Sequence, residues 1–169
     1  FSITATPGVY YGETIAPFTL PTVGRFYPDH FIVTSSSTSD SCSGFSYMGQ
    51  TDSEIDISYT VQAQRFGGGL VANYNGDFAK ASISLVAENN NDGGGHQTRL
   101  SGFSTTSWSN GEYLYSDGGT FIRALSGLPD GPYQDLDVGI LLADNDGNVS
   151  VLNALDMRAD TSTDCSGLG

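Results

Sequence analysis

The sequence is poor in positive charge. Lysine and arginine together number 6 among 169 residues, against 19 aspartates and glutamates, for a net charge of −13 at pH 7. Nucleic acid is held by clustered basic side chains that displace counterions from phosphate, so that class of partner is excluded. There is no basic amphipathic stretch to bind an anionic membrane surface. No run approaches the roughly 20 apolar residues of a spanning helix. Cysteine is equally sparse: Cys42 and Cys165 are the whole complement, and without a CxxC pair they build no structural zinc site. Histidine occurs only as His30 and His96. His96 follows three glycines in a stretch without periodicity, a poor position for a general base. Neither Gly44-Phe45-Ser46-Tyr47-Met48 nor Gly102-Phe103-Ser104-Thr105-Thr106 closes the GxSxG turn of a serine hydrolase. Gly67-Gly68-Gly69 and Gly93-Gly94-Gly95 lack a following Lys-Ser/Thr and read as turns, not phosphate loops. The opening residues have neither the basic start nor the apolar run of a signal peptide, and the abrupt ends read as those of a domain excised from a longer protein.

What is present in quantity suits strands and turns. Glycine numbers 22, apolar residues make up 38% and charged residues only 15%, whereas helices carry Glu, Lys and Arg on their exposed faces. The length fits one domain over 1–169 with a substantial core. In residues 54–64, Ile55, Ile57, Tyr59, Val61 and Ala63 alternate with polar neighbours, the period of two that puts one set on a core and the other in water. A second strand spans 78–88, with Ala79, Ala81, Ile83 and Leu85 on one face, after a hairpin signal at Asn75-Gly76. Asn110-Gly111 and Asp117-Gly118 bracket a short strand at 112–115, and 120–125 reads as another. The last long strand covers 134–143, with Leu136, Val138, Ile140 and Leu142 in register. It turns at 144–148 and returns over 149–152. Residues 25–27 and 30–34 flank Pro28-Asp29 as a broken or bulged strand. Residues 35–43 and 88–96 are polar and aperiodic, and read as mobile surface loops. The expectation is an all-β fold of about 7–10 strands, a β-sandwich with Greek-key or Ig-like connections, with a closed barrel as the alternative.

Several stretches go beyond this generic pattern. Val23-Gly24-Arg25-Phe26-Tyr27-Pro28-Asp29-His30-Phe31 resembles the opening signature of the large C-terminal region of MshQ-like proteins, which are associated with the mannose-sensitive haemagglutinin (MSHA) pilus, a type IV pilus. Cys42-Ser43-Gly44-Phe45-Ser46-Tyr47-Met48-Gly49-Gln50 and Asn73-Tyr74-Asn75-Gly76-Asp77-Phe78 are similar to the blocks that follow. Asp130-Gly131-Pro132-Tyr133, the strand through Val138-Gly139-Ile140, and Asp144-Asn145-Asp146-Gly147 match the later pattern. The blocks keep their order over about 22–160, and none is a catalytic signature. The resemblance implies an exported, extracellular protein at a filament and involved in attachment.

Candidate sites follow from residue type and spacing. Asp144, Asp146 and Asn148 place alternating oxygen side chains around a turn glycine, as calcium loops do, and Asp156 and Asp160 could return a further carboxylate. Leu155 stands where an EF-hand would close with an acid, and the plainer reading is a turn of residues tolerant of left-handed backbone. Trp108, Tyr113 and Tyr115 are rings with polar tips that could stack on sugar faces or anchor an interface; the plainer reading makes Trp108 a sandwich-core tryptophan. Cys42 and Cys165 would close a long loop as a disulfide, stabilising the fold by about 4–5 kcal/mol in the chain-entropy model. Lys80, the one lysine, alternates onto a polar face, against an isopeptide role. The functional expectation is a non-enzymatic adhesion or assembly domain of a type IV, MSHA-like pilus-associated surface protein. Its partners would be other pilus or surface subunits and surface glycans, and calcium is the one cofactor to test. A carbohydrate-binding module with an exposed aromatic platform is the alternative. A secreted hydrolase, needing a cleft with two carboxylates or a metal, is a third.

Overall fold

The computed structural model describes residues 2–20, 26–42, 44–49, 55–89, 94–123, 126–127, 131–133 and 136–146. Strands β1 (Ile3–Ala5), β2 (Gly8–Tyr10), β3 (Glu13–Ile15) and β4 (Phe18–Leu20) come first, followed by β5 (His30–Asp40), β6 (Ile55–Gln64) and β7 (Ala81–Asn89). The short β8 (Gly94–Gly95) and β9 (Leu100–Ser101) precede the long β10 (Glu112–Phe121) and β11 (Leu136–Asp144). The only helical turns among the described residues are 3-10 turns at Gly76–Phe78 and Gln97–Arg99.

The body is all-β, built from two antiparallel sheets around one core. One sheet has the order β5-β6-β10-β9 and the other β11-β7-β8. The period of two in β6 explains the arrangement: Ile57, Tyr59, Val61 and Ala63 are buried while their neighbours are not. They meet Tyr113, Tyr115 and Phe121 of β10 in their own sheet, and Ala81, Ala87, Val138, Ile140 and Leu142 of the other. At roughly 25 cal/mol per Å² of apolar surface removed from water, this shared core is the main stabilising term. β7 and β11 pair over nine residues, from Leu136↔Asn89 to Asp144↔Ala81.

Several turn and loop expectations are overturned. Residues 35–40 form no loop but the second half of β5, paired to β6 from Ser35↔Thr60 to Asp40↔Ile55 beyond a bulge between Val33 and Ser35. They are exposed, so main-chain bonds hold the strand and no hydrophobic period marks it. A polar edge of this kind also blunts edge-to-edge association. Asp117-Gly118 is no turn either, since β10 runs straight through it. Asp117 accepts the Ser104 N–H at 2.6 Å, and a Cβ on Gly119 would fall 2.4 Å from the Phe103 ring. The glycines let Phe103 lie across the strand. Asn75-Gly76 opens a 3-10 turn instead of a hairpin, because the Tyr74 hydroxyl accepts the N–H groups of Lys80 and Ala81 at 3.1 and 2.8 Å and leads the chain into β7. Residues 88–96 are partly strand: β7 continues to Asn89, and Gly94 and Gly95 pair back onto it. Asn110-Gly111 does turn the chain, with Ser109 and Glu112 exchanging both main-chain bonds across it.

No periodicity marks a strand in residues 2–20, yet they form a long hairpin. β1 pairs β4 and β2 pairs β3, and the partner numbers sum to 23 in both halves, so one register runs across the Pro7 and Pro17 breaks. Tyr11 and Gly12, at φ of 50° and 83°, close the tip, the two left-handed residues of a type I′ turn. Residues 2–20 are all exposed, and the arm's strands pack substantially only on one another. Odd positions of β1 and β2 share a face with even positions of β3 and β4, which gathers Ile3, Leu20, Ala5, Phe18, Val9 and Thr14. Thr4, Thr19, Tyr10, Glu13 and Ile15 lie on the other.

Candidate functional site

β6 is about 26 Å long from Ile55 to Ala63 at roughly 3.3 Å per residue, and aromatic side chains collect at both of its ends. At the Ala63 end they are closed in. Trp108 donates its Nε1–H to the Ala81 carbonyl at 2.8 Å, across from one sheet to the other. Its ring meets Phe31, Tyr74 and Tyr113 at centroid distances of 5.4, 5.1 and 5.5 Å. Tyr59 stacks on Tyr115, its direct cross-strand partner, at 4.8 Å and on Tyr113 at 6.1 Å. Burial lifts the pKa of Tyr59 far above the ordinary tyrosine value, and Tyr113 and Tyr115 add to it. Tyr115 is pushed up to about 12 by burial, then by Asp117 and Tyr113.

At the Ile55 end the two sheets part around a cleft of about 900 Å³. One wall is the end of β5 with the loop carrying Phe45, Tyr47 and Met48; the other is residues 131–133 with the start of β11. The loop is held by reciprocal Cys42–Phe45 main-chain bonds and by Ser46 Oγ accepting the Ser41 N–H at 3.1 Å. The Gly49 N–H ties it to the Phe121 carbonyl at 3.1 Å. The floor rests on Arg99. Its guanidinium lies 4.6 Å from the Phe121 ring centroid and donates to the Tyr133 hydroxyl at 3.1 Å, and its Nε–H is held by the Ile122 carbonyl. His96 packs edge-on against Tyr133 and Phe121 at 4.8 and 5.9 Å. Its main-chain N–H donates to the Ala87 carbonyl. The aperiodic stretch therefore hides an anchored histidine that supports the cleft.

Asp40, Asp137 and Arg123 bring charge to the lining, and Thr38, Ser39 and Ser46 bring hydroxyls. Ring faces beside carboxylates and hydroxyls can bind a ligand that has both an apolar face and hydrogen-bonding groups. A family model described as DUF6701, third domain, matches residues 1–169. The chain belongs to that family. No curated protein and no solved structure matches the chain.

Within this DUF6701 third domain, the residues singled out from sequence fall in three places. Trp108, Tyr113 and Tyr115 come together, but as core: Trp108 is 6% exposed, and the two tyrosines are equally buried. Alternation puts Tyr113 and Tyr115 on the inward face of β10, so they form no surface platform. Asp144 and Asp146 sit at the end of β11, where Asp144 Oδ1 accepts the Asp146 N–H at 3.1 Å and the Asn145 side-chain amide donates to the Lys80 carbonyl at 2.8 Å. The second contact ties the turn to the residue that leads into β7. Among the described residues no three His, Cys, Asp or Glu side chains gather as a metal site. Asn148, Asp156, Asp160 and Cys165 lie outside the described residues, as do the 149–152 return strand and the Cys165 half of the disulfide. Cys42 is half-buried at the base of the cleft-rim loop.

The cleft residues Phe45, Tyr47, Arg99 and Tyr133 were not found by sequence reasoning. Phe45 and Tyr47 stood within a resembling block, which was the available signal. Nothing in the spacing joins 45–48 to 131–133 and 136–138, a proximity made only by the antiparallel path of the sheets.

Proposed function

We propose that this domain is a non-enzymatic adhesion and assembly module of an extracellular, type IV (MSHA-like) pilus-associated surface protein, docked through its hairpin arm on a neighbouring domain of the same polypeptide. The arm is the observation that carries the reading. A lone two-stranded hairpin is marginal in water, and this one exposes an apolar face with Ile3, Val9, Phe18 and Leu20 along it and Tyr11, 92% exposed, at its tip. Such a surface fits a partner that covers it. The family description places this domain third in a series, which favours another domain of the series as the occupant. The ordered blocks shared with MshQ-like proteins support the pilus setting.

Hydrogen exchange compares the arm in the 169-residue chain and in the full-length polypeptide. The amides of residues 3–20 should exchange freely in the first and be protected in the second. Val9→Asp with Phe18→Asp should remove that protection and leave β6 unchanged. Equal, fast exchange in both would sink the docking role. Antibody to the domain should label intact cells at filaments; label confined to lysed cells would overturn the surface assignment.

A further inference from the structure

We propose that the cleft at the Ile55 end of β6 binds a short neutral oligosaccharide without cleaving it. This reading does not depend on the arm, which lies outside the cleft lining.

The argument begins with exposure. Tyr47 is 66% and Phe45 49% exposed, although both belong to a loop fixed at three points. Their rings stand at 87° with centroids 5.2 Å apart. Two ring faces at a right angle suit successive pyranose units whose C–H faces are not coplanar, and a half-exposed ring on a fixed loop loses little freedom when it stacks. By contrast, the rings at the Trp108 end make similar contacts with one another but are enclosed, with no face left toward water.

Polar chemistry narrows the ligand. Asp40 offers acceptor oxygens and Arg123 a fork of donors, the groups that grip adjacent sugar hydroxyls in pairs. Among the described lining residues Asp40 and Asp137 stand against Arg123, and in a chain of net charge −13 that balance repels uronates, sulfated glycans and phosphates. About 900 Å³ is at the upper end of the range for ligand clefts, about 300–1,000 Å³, and leaves room for more than one sugar ring. The floor is preorganised: Arg99 is held by Ile122 and Tyr133, and the Met48 sulfur lies 3.9 Å from its Nη2.

Calorimetry on the 169-residue chain tests this with cellotetraose, mannotetraose, laminaritetraose and chitotetraose, with tetragalacturonate and tetralysine as charged controls. At least one neutral probe should bind saturably. Tyr47→Ala, Phe45→Ala and Asp40→Asn should each weaken it about tenfold, equivalent to about 1.4 kcal/mol. Tyr11→Ala, on the arm, should leave it unchanged. All four positions are exposed, and unaltered Trp108 fluorescence will show that each variant is folded. No saturable binding of any neutral probe up to about 10 mM, at the weak end of the affinity scale, would overturn the proposal. So would an affinity unmoved by the Tyr47 and Phe45 substitutions together, or tighter binding of either charged control. Tetralysine binding alone would make the cleft a site for basic peptide. Release of shorter sugars from a probe would make it a hydrolase and overturn the binding-only role.

Discussion

The two ends of β6 carry similar side chains to opposite ends. Around Ala63, Phe31, Tyr74, Trp108 and Tyr113 pack ring on edge and hand their polar tips to backbone: Trp108 to the Ala81 carbonyl, Tyr74 to the Lys80 and Ala81 amides. Around Ile55, Phe121 and Tyr133 do the same with Arg99, but Phe45 and Tyr47 stand in front of them facing water. Aromatic residues enclosed on every side make a core, whereas those held by their backbones with a face toward water stay open to a ligand. Identity of the residue does not separate the two cases. Enclosure by the packed sheets does.

The difference can be broken most severely at Trp108. Trp108→Ala should cost about 3–5 kcal/mol in chemical denaturation, while Tyr47→Ala should stay within about 0.5 kcal/mol. Comparable losses would mean that the cleft rings are also structural. Glycine gives a second contrast. A Cβ on Gly111, at φ +83°, would fall 2.5 Å from the Val71 carbonyl oxygen, whereas one on Gly44, at φ +82°, would meet nothing within 4 Å. Gly111→Ala should therefore cost about 2–3 kcal/mol and Gly44→Ala about 1 kcal/mol, backbone strain alone. Equal costs would show that the turn at 110–111 can move away from 71–74.

The closed end should also be the alkaline-sensitive one. Burial raises the pKa values of Tyr59, Tyr74 and Tyr115 above the free tyrosine value near 10, with Tyr115 at about 12. A group raised in the fold stabilises fully below its unfolded pKa, and that contribution is lost as pH rises through the folded value. Melting temperature should thus be level from pH 7 to 9 and fall above pH 10, in step with tyrosinate absorbance. A level melting temperature to pH 12 would show these hydroxyls in contact with water.

Tyr115 sharpens the point at a single atom. Its hydroxyl is buried without a hydrogen-bond partner among the described residues. Removing it in Tyr115→Phe should raise stability by up to about 1 kcal/mol at neutral pH, since an unsatisfied buried hydroxyl is destabilising. A loss would reveal a bound water or a partner from the rest of the chain.

The smallest effect expected is at Asp117. Its pKa is lowered by the hydrogen bonds from Ser104 and Gly118. Stability from a lowered carboxylate is present above its unfolded pKa and lost as pH falls through the folded one. The melting temperature should decline below about pH 4, and Asp117→Asn should flatten that decline slightly. An unchanged acid limb would show that the Ser104 contact does not persist in solution.

What could be read along the chain was the set of strands whose faces differ in environment. Ile55 to Ala63 and Leu136 to Leu142 alternate because one side meets a core, and both strands lie within a residue or two of where alternation put them. The second half of β5 has no buried face, so its serines and threonines looked like loop. Asp117-Gly118 looked like a turn because glycine marks both turns and places where a ring crosses a strand, and only Phe103 distinguishes them. The arm escaped notice for the same reason as β5: each of its residues is exposed, and its apolar positions are diluted by threonine and proline.

By itself, then, the sequence determined the class of protein: all-β and acidic, with its core on alternate residues of a few strands. These properties are local or summed over the chain, so no partner residue is needed to state them. Tertiary structure decided which aromatics are enclosed and which are exposed, and that 45–48 share a cleft with 131–133 and 136–138. It also decided that residues 3–20 stand apart from the body. Those outcomes depend on contacts between residues far apart in sequence, where the geometry of two packed sheets, and not the residue type, sets what is covered.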